Sequence, residues 1–213
     1  MKLYNYFRSS ASFRVRIALA LKGLQYDYVP VHLAKGEHRQ AEFATLTCEG
    51  LVPMLETDGG LRLTQSMAII EYLNETHPAP PLLPANAAGR ARVRALAQIV
   101  ACEIHPLNNL RVLKYLVHDL KADEGAKTEW YRHWVAVGLH AYEARMAEGA
   151  RGTYSHGDAP TLADCCLVPQ IFNAQRFDCD LTPYPLTMAV FQACMQLPAF
   201  QQAQPSACPD AEP

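Results

Sequence analysis

Leu51-Val52-Pro53-Met54-Leu55, followed ten residues later by Gln65-Ser66-Met67-Ala68-Ile69-Ile70, is the stretch of sequence that decides the fold. A proline that opens a strand removes one donor from the hydrogen-bonded ladder, so its presence at position 53 indicates a specific structural role. One such role is a cis peptide bond that holds the preceding backbone open for the main chain of a ligand. The second segment predicts a helix from Ser66 to His77, because its apolar residues recur at helical spacing.

The start of that helix is the second informative feature. Ser66 is predicted to be the N-cap, so that free N–H groups and the positive end of the helix dipole point outward. A strand edge that can pair with a peptide, next to a helix start that can hold a carboxylate, describes a site for a small acidic peptide. Glutathione is the obvious candidate. The alternative is a strand, a turn and a capped helix without any ligand, because such caps are common.

Composition and charge exclude several classes of protein. The chain has 213 residues, of which 50% are hydrophobic and 19% charged, as in an ordinary globular protein. The net charge of -2 and the absence of a long basic run argue against nucleic-acid binding. Seven cysteines, with no C-x-x-C pair, favour free thiols over a disulfide framework. The N-terminus is unlike a signal peptide, and no apolar stretch is long enough for a membrane span. We therefore expect a cytoplasmic protein with no membrane partner.

The first 77 residues predict the element order β-α-β-α-β-β-α. A hairpin is indicated around Asp58-Gly59-Gly60, and Gly23 is a plausible end for the first long helix, which starts at Ser12. The remaining strands are predicted at Lys2–Tyr6 and Tyr26–His32. Two strands joined by a helix, then a hairpin and a last helix, predict a thioredoxin-like α/β domain.

A proline-rich connector then separates the α/β pattern from an all-helical pattern. Residues 78–84 contain four prolines and break regular structure. The chain beyond it predicts helices at residues 87–120 with a kink at Pro106, at 123–147, from a capping box at 161–164, and at 186–196. Residues 201–213 are expected to fray. We predict an α/β domain at 1–80, a linker at 81–87 and an all-helical domain at 88–213.

Motifs spread over nearly the whole chain resemble those of soluble glutathione transferases, and of the zeta class in particular. Val52-Pro53, Gln65-Ser66 and Thr161-Leu162-Ala163-Asp164 resemble general motifs of that superfamily. The stretches that resemble zeta-class signatures are Ser9-Ser10-Ala11-Ser12-Phe13-Arg14-Val15-Arg16-Ile17-Ala18-Leu19, His105-Pro106-Leu107-Asn108-Asn109-Leu110-Arg111, Ala174-Gln175-Arg176-Phe177, Asp180-Leu181 and Tyr184-Pro185. The zeta class includes isomerases of maleylacetoacetate and maleylpyruvate, so the resemblance implies an enzyme of aromatic catabolism, with a homodimeric assembly.

Two positions depart from the zeta pattern. Ala11 stands where zeta enzymes commonly have Cys, and Phe13 replaces a usual Trp. The absence of the Cys makes direct chemistry by a protein thiol at this site unexpected. It does not disable an enzyme whose nucleophile is glutathione. Some bacterial maleylpyruvate isomerases also lack this Cys, which favours their substrate.

The chemistry implied by the resemblance is cis–trans isomerisation of an unsaturated keto-diacid. A thiolate adds to the alkene, the resulting single bond rotates, and the thiolate leaves. This is covalent catalysis in which glutathione, and not a protein side chain, supplies the nucleophile. The protein must supply an anionic sulfur at neutral pH, charge stabilisation and a grip on two carboxylates. Ser9 in the first turn is predicted to stabilise the thiolate, Ser10 could carry either this role or the capping role, and Ala11 can contribute only its backbone N–H. The alternative for Ser9 is a helix N-cap without chemistry.

The remaining predicted contacts to glutathione come from both domains. Gln65 and Ser66 would hold the γ-glutamyl carboxylate, and Val52 with a cis Pro53 would pair with the cysteinyl unit as an added strand does. His38 could reach the glycyl carboxylate or be a solvated loop histidine. His105 and Asn109 are predicted to lie one helical turn apart on one face. Cys102 and His105 have the spacing of half a metal site, but no second pair supports it, so no metal is predicted.

The resemblance to bacterial zeta-class isomerases implies that three arginines at matching positions bind the dicarboxylate substrate: Arg8, Arg111 and Arg176. Arginine forks bind carboxylates through two parallel hydrogen bonds. Arg8 and Arg176 are also assigned to catalysis, and the alternative for each is a solvated surface arginine. Two other functions share the same groups: a transferase that conjugates or dehalogenates small α-halo acids, and a non-catalytic protein on the same fold.

Overall fold

The computed structural model describes residues 1–149 and 152–212. Two compact units divide the chain. The first comprises Met1–Leu82 and the C-terminal segment that begins at Met195, and the second comprises Leu83–Cys194. The predicted division into folding domains at 1–80 and 88–213 stays a prediction. The boundaries of the compact units differ from the predicted ones at the C-terminal end, where the segment from Met195 groups with the first unit.

The first unit confirms the predicted order of elements. Its sheet has the strand order β2-β1-β3-β4, with β1 and β2 parallel and the other two pairings antiparallel. The strands are β1 (Lys2–Asn5), β2 (Asp27–Pro30), β3 (Met54–Glu56) and β4 (Arg62–Thr64), and the helices are α1 (Ser10–Leu21), α2 (Ala41–Ala44) and α3 (Ser66–Thr76), with a 3₁₀ turn at Glu37–Arg39. The arrangement is thioredoxin-like, as the sequence predicts.

The register of the strands brings four loops to one edge of the sheet. Tyr4 pairs with Met54, and Met54 pairs with Thr64, so the end of β1, the start of β3 and the end of β4 coincide. Asn5 pairs with Pro30, which places the end of β2 at the same edge. The turn before α1, the loop after β2, the Val52-Pro53 segment and the start of α3 therefore meet there.

The C-terminal segment is ordered as far as residue 212, so the prediction that residues 201–213 fray is wrong there, and Pro213 lies outside the described residues. It forms α9 (Pro198–Ala203) and a 3₁₀ turn (Pro205–Ala207), and Cys208 is buried. The local composition suggested a loose tail because its partners lie far away in the sequence. The Nε of Arg16 donates to the carbonyl oxygen of Ala203 at 2.9 Å, across 187 positions. Long-range packing here overrides a weak local pattern.

The second unit is helical. Its helices are α4 (Ala87–Gln98), α5 (Leu110–His118), α6 (Glu124–Ala147), α7 (Leu162–Arg176) and α8 (Pro185–Met195), with a π-helical segment at Ile99–Ile104 after α4. The prediction of helix over 87–120 with a kink at Pro106 is confirmed only in part: the interruption lies at Pro106, but it is a turn at residues 105–109 that separates two helices. The ladder ends at the His105 N–H, which donates to the carbonyl oxygen of Val100, because Pro106 has no N–H with which to continue it. The capping box at Thr161 and Asp164 is confirmed.

Two further observations bear on the predictions from composition. The seven cysteines are free thiols, as expected for a chain without a disulfide framework. No helix within residues 1–149 and 152–212 is both long enough and apolar enough to cross a membrane.

Candidate active site

Ser9 lies at the point where β1 turns into α1. It is the N-cap of that helix, and its Oγ accepts a hydrogen bond from the Ser12 N–H at 3.2 Å. A hydroxyl that accepts through its oxygen keeps its hydrogen for donation. The capping role is therefore compatible with donation to a sulfur. The N–H groups of Ser10 and Ala11 belong to the first turn of α1, the positive end of its dipole.

A buried arginine holds the backbone that leads into this turn. Arg16 is 2% exposed, and its Nη2 donates to the carbonyl oxygen of Phe7 at 3.0 Å. Its Nη1 donates to the side-chain oxygen of Asn5 at 3.0 Å. The Ser9 N–H in turn donates to the carbonyl oxygen of Tyr6 at 3.0 Å. These bonds fix the backbone on which Ser9 and Arg8 stand.

The start of α3 differs from the prediction in one respect. Gln65, not Ser66, occupies the N-cap position, with a φ of 65° that a residue with a side chain rarely adopts. Ser66 is the first residue of the helix, and its Oγ accepts from the Nη1 of Arg14 at 3.3 Å. Backbone strain of this kind costs about 1–3 kcal/mol and concentrates at ligand sites. The contact of Gln65 and Ser66 with a carboxylate stays a prediction.

Arg14 is a part of this site that the sequence analysis did not single out. It is 2% exposed, yet it carries a full positive charge beside Ser66 at the N-terminus of α3. A buried cation and the helix dipole both favour an anion at this place. The signal in the sequence was indirect: Arg14 stands between the apolar residues Phe13 and Val15, and the structure shows that residues 12–19 of α1 are all buried.

Val52 and Pro53 lie beyond the paired part of β3. The peptide bond between them is cis, as predicted, and both side chains are buried. The register with β1 ends at Met54, so the Val52 peptide groups lie outside the ladder. An extended peptide can pair with such a segment through its main chain.

His38 lies in the 3₁₀ turn of the loop after β2 and is half-buried. This loop leaves β2 at the edge of the sheet where Ser9 and Val52 lie. The position suits the predicted contact with a glycyl carboxylate, which stays a prediction.

His105 and Asn109 do not share a helix face, so that prediction is wrong. His105 follows the π-helical segment, and residues 105–109 form a turn. Asn109 is the N-cap of α5, and its Oδ1 accepts from the Arg111 N–H at 3.1 Å. The break at Pro106 separates the two residues structurally although they are four positions apart.

Two of the three predicted substrate arginines belong to the second unit. Arg111 is exposed in the first turn of α5. Arg176 is exposed at the end of α7, where its Nη1 donates to the Asn173 Oδ1 at 3.4 Å and its guanidinium lies 5.9 Å from the Phe177 ring centroid. The Phe177 ring stacks on that of Tyr131 at 3.7 Å. Burial raises the pKa of the Tyr131 hydroxyl, and the Arg176 charge opposes that effect.

A chain of contacts connects the turn at Asn109 with Arg176. The Nδ2 of Asn108 donates to the carbonyl oxygen of Tyr131 at 3.0 Å. Tyr131 stacks on Phe177, which carries the Arg176 guanidinium beside its ring. Arg8 belongs to the first unit, where it is exposed and its guanidinium lies 5.0 Å from the Phe7 ring. The structure thus gathers one set of predicted residues on each unit.

Comparison with known proteins identifies the family. Residues 1–75 match the N-terminal domain of glutathione S-transferases, and residues 132–198 match the C-terminal domain. A maleylpyruvate isomerase from Ralstonia is 56% identical over 212 residues, which are 99% of this chain and 100% of that protein. A holo structure of a maleylpyruvate isomerase, described as a bacterial zeta-class enzyme, has a TM-score of 0.97 at 55% identity, with 100% of both chains covered. The chain belongs to the zeta class of glutathione transferases.

A second structural relative of this zeta-class transferase extends the comparison to ligands. The maleylacetoacetate isomerase of Anaeromyxobacter dehalogenans is 49% identical, with a TM-score of 0.89 over 100% of this chain and 97% of that one. That protein was crystallised with dicarboxyethyl glutathione and citrate in its active site.

Proposed function

We propose that this transferase is a glutathione-dependent cis–trans isomerase of maleylpyruvate or maleylacetoacetate that acts by reversible thiolate addition. The observation that carries the proposal is the full-length 56% identity with the Ralstonia maleylpyruvate isomerase. The convergence of the Ser9 turn, Val52-Pro53 and the start of α3 at one sheet edge supports it independently.

Glutathione, when bound, supplies the thiolate that adds to the substrate alkene. The work of the protein is to position that sulfur and keep it anionic. The Ser9 hydroxyl donates towards the sulfur, and the N-terminus of α1 favours negative charge there. Ser66, Gln65 and the buried Arg14 hold the γ-glutamyl carboxylate, and Val52 orients the peptide between the two ends. His38, His105 and Asn109 complete the proposed glutathione contacts.

Arg8, Arg111 and Arg176 are proposed to bind the substrate carboxylates. All three are exposed, which leaves their guanidinium groups accessible to a carboxylate. Two negative groups, and the further charge that develops on the keto oxygen, justify several cations. Loss of one such fork is expected to cost roughly 2–4 kcal/mol of transition-state binding, as for comparable electrostatic groups.

The test follows isomerisation of both substrates by ultraviolet absorbance, with and without glutathione. We expect a rate that requires glutathione and a total glutathione content that does not change, because an isomerase regenerates it. Equal rates without glutathione would contradict the proposal. Stoichiometric loss of glutathione would instead identify a transferase that conjugates or dehalogenates small acids.

We also propose a cytoplasmic homodimer, which rests on the zeta-class relationship alone. Sedimentation analysis at the concentrations used for assays should give twice the chain mass of 23.7 kDa. A fully active species at 23.7 kDa would contradict the dimer.

A further inference from the structure

The last residues of the chain contact the backbone just before Ser9. The Oδ2 of Asp210 accepts a hydrogen bond from the Phe7 N–H at 3.3 Å, across 203 positions of sequence. The Oδ1 of the same carboxylate accepts from the Tyr28 hydroxyl. Burial and this bond to Asp210 raise the pKa of Tyr28, so its hydroxyl stays protonated and able to donate. A carboxylate from the C-terminal segment is thus fixed two residues before the proposed thiolate-binding serine.

The backbone N–H and the backbone carbonyl of Phe7 are both linked to the C-terminal segment by hydrogen bonds. Its N–H is held by Asp210 directly. Its carbonyl oxygen accepts from the Nη2 of Arg16, whose Nε is anchored at 2.9 Å to the carbonyl oxygen of Ala203 in α9. The backbone that carries Arg8 and Ser9 is therefore held by two separate points of the same segment.

We propose that the C-terminal segment is a clamp on the Phe7–Ser9 turn, and that Asp210 is the positioning residue that sets the orientation of the Ser9 hydroxyl. The proposal rests on the proposed function, because it assigns the clamp to the site where the sulfur is held. The Tyr28 hydroxyl holds the other oxygen of the Asp210 side chain, so the oxygen that accepts from the Phe7 N–H is fixed in place. Site groups must be held within about 0.5 Å, and a misplacement of about 1 Å can cost as much as 10²-fold in rate.

Glu212 offers a matched control on the same segment. Its Oε1 accepts from the Lys35 Nζ at 2.7 Å and lies 3.2 Å from the Nε2 of His32. These contacts attach the tail to the loop after β2 and not to Phe7. Loss of the Glu212 charge therefore loosens the tail without removing the bond to the turn.

The experiment compares Asp210→Ala, Asp210→Asn and Glu212→Gln in the full chain. The principal measurement is the pKa of the glutathione thiol in the complex, read from thiolate absorbance against pH, with kcat and KM measured alongside. Asp210→Ala should raise that pKa by about half a unit, a roughly threefold loss of the thiolate-to-thiol ratio. It should also lower kcat about tenfold with little change in the KM for glutathione.

The other variants separate positioning from general stability. Asp210→Asn keeps an oxygen that can accept from the Phe7 N–H, so it should restore most of kcat and the low thiol pKa. Glu212→Gln should have the kcat and the glutathione thiol pKa of the wild type. Melting temperatures are measured for each variant, because a merely structural role would lower them without moving the thiol pKa.

A folded Asp210→Ala protein with the thiol pKa and kcat of the wild type would overturn the clamp. If that variant does not fold, Tyr28→Phe decides, because it removes the second anchor of the carboxylate: a smaller shift in the same direction supports the clamp and no shift contradicts it. The titration needs bound glutathione but no turnover. A wild-type protein that binds glutathione without isomerising either substrate would contradict the proposed function alone, and the titration would still decide the clamp.

Discussion

The hydroxyl of Ser9 caps α1 by accepting from the Ser12 N–H and keeps a hydrogen for donation to a sulfur. At the scale of the residue, the proposed site is built from groups that already serve the backbone and are proposed to serve the ligand as well. Ser66 shows the same arrangement, since its hydroxyl accepts from the buried Arg14 at the place where a carboxylate is proposed to bind. Both residues lie at the N-terminus of a helix.

Ser9→Ala tests the proposed donor. We expect the pKa of the bound glutathione thiol to rise and kcat/KM to fall about 10²-fold, because one preorganised donor to a developing or stabilised anion is lost. Removal of the cap should also cost about 1 kcal/mol of folding free energy. Ser9→Thr keeps a hydroxyl and serves as the control. Wild-type rates and thiol pKa in Ser9→Ala would show that another group activates the sulfur.

Arg14→Met tests the buried cation beside Ser66. The Kd for glutathione should rise about tenfold while kcat at saturating glutathione changes little, because the interaction concerns binding and not the reacting sulfur. Arg62→Met removes an exposed arginine of the same unit, which pairs with Glu56 at 2.9 Å, and should leave the Kd unchanged. Calorimetric titration gives both values. An unchanged Kd in Arg14→Met would remove Arg14 from the site.

The roles of Arg14 and Arg16 were open to prediction only in part. Arginines default to the surface, and the sequence alone gave no partner for either. The indication was that both lie in an apolar stretch of α1, with Val15 between them and Phe13 and Ile17 beside them. Gln65 could not be predicted as the N-cap, because glutamine is not among the residues that favour this position and its φ is strained.

At the scale of the elements, the strands and helices of the first unit follow their local sequence patterns closely. The hairpin at Asp58-Gly59-Gly60 and the helix from Ser66 are recovered because turn residues and apolar spacing act locally. The segment after α4 is different. Its apolar residues continue, but the backbone changes to a π-helical segment that packs against α6. Such segments are rare and carry no strong sequence signal.

Gly138 in α6 is required by this π-helical segment. A Cβ added at Gly138 would lie 2.1 Å from the Cγ1 of Ile104, which is fully buried. Gly138→Ala should therefore lower the free energy of unfolding by about 1–3 kcal/mol, although alanine is the better helix former by about 1 kcal/mol. Urea denaturation measures the change.

The double variant provides the control for that prediction. Ile104→Ala leaves a cavity and destabilises alone, but it also removes the atoms that an added Cβ would meet. The combined loss in Gly138→Ala with Ile104→Ala should therefore be smaller than the sum of the two single losses. Strict additivity would contradict the close approach.

At the scale of the whole molecule, the family and its proposed activity were predictable because motifs occur jointly along the chain, whereas the placement of the tail was not. Asp210 and Phe7 are 203 positions apart, and no local pattern reports such a pairing. The prediction of a fraying tail followed composition and failed for this reason. The joint motifs also point to a sulfur nucleophile that the chain borrows, since Ala11 stands where zeta enzymes commonly have a cysteine.

The most direct test of the glutathione sulfur as the nucleophile replaces glutathione by S-methylglutathione, which keeps both carboxylates and the peptide but has no thiol. Isomerisation of maleylpyruvate is followed by ultraviolet absorbance with each compound in turn. We predict that S-methylglutathione supports no isomerisation and inhibits competitively against glutathione, because the same residues bind it. Isomerisation with S-methylglutathione at the rate seen with glutathione would contradict thiolate addition.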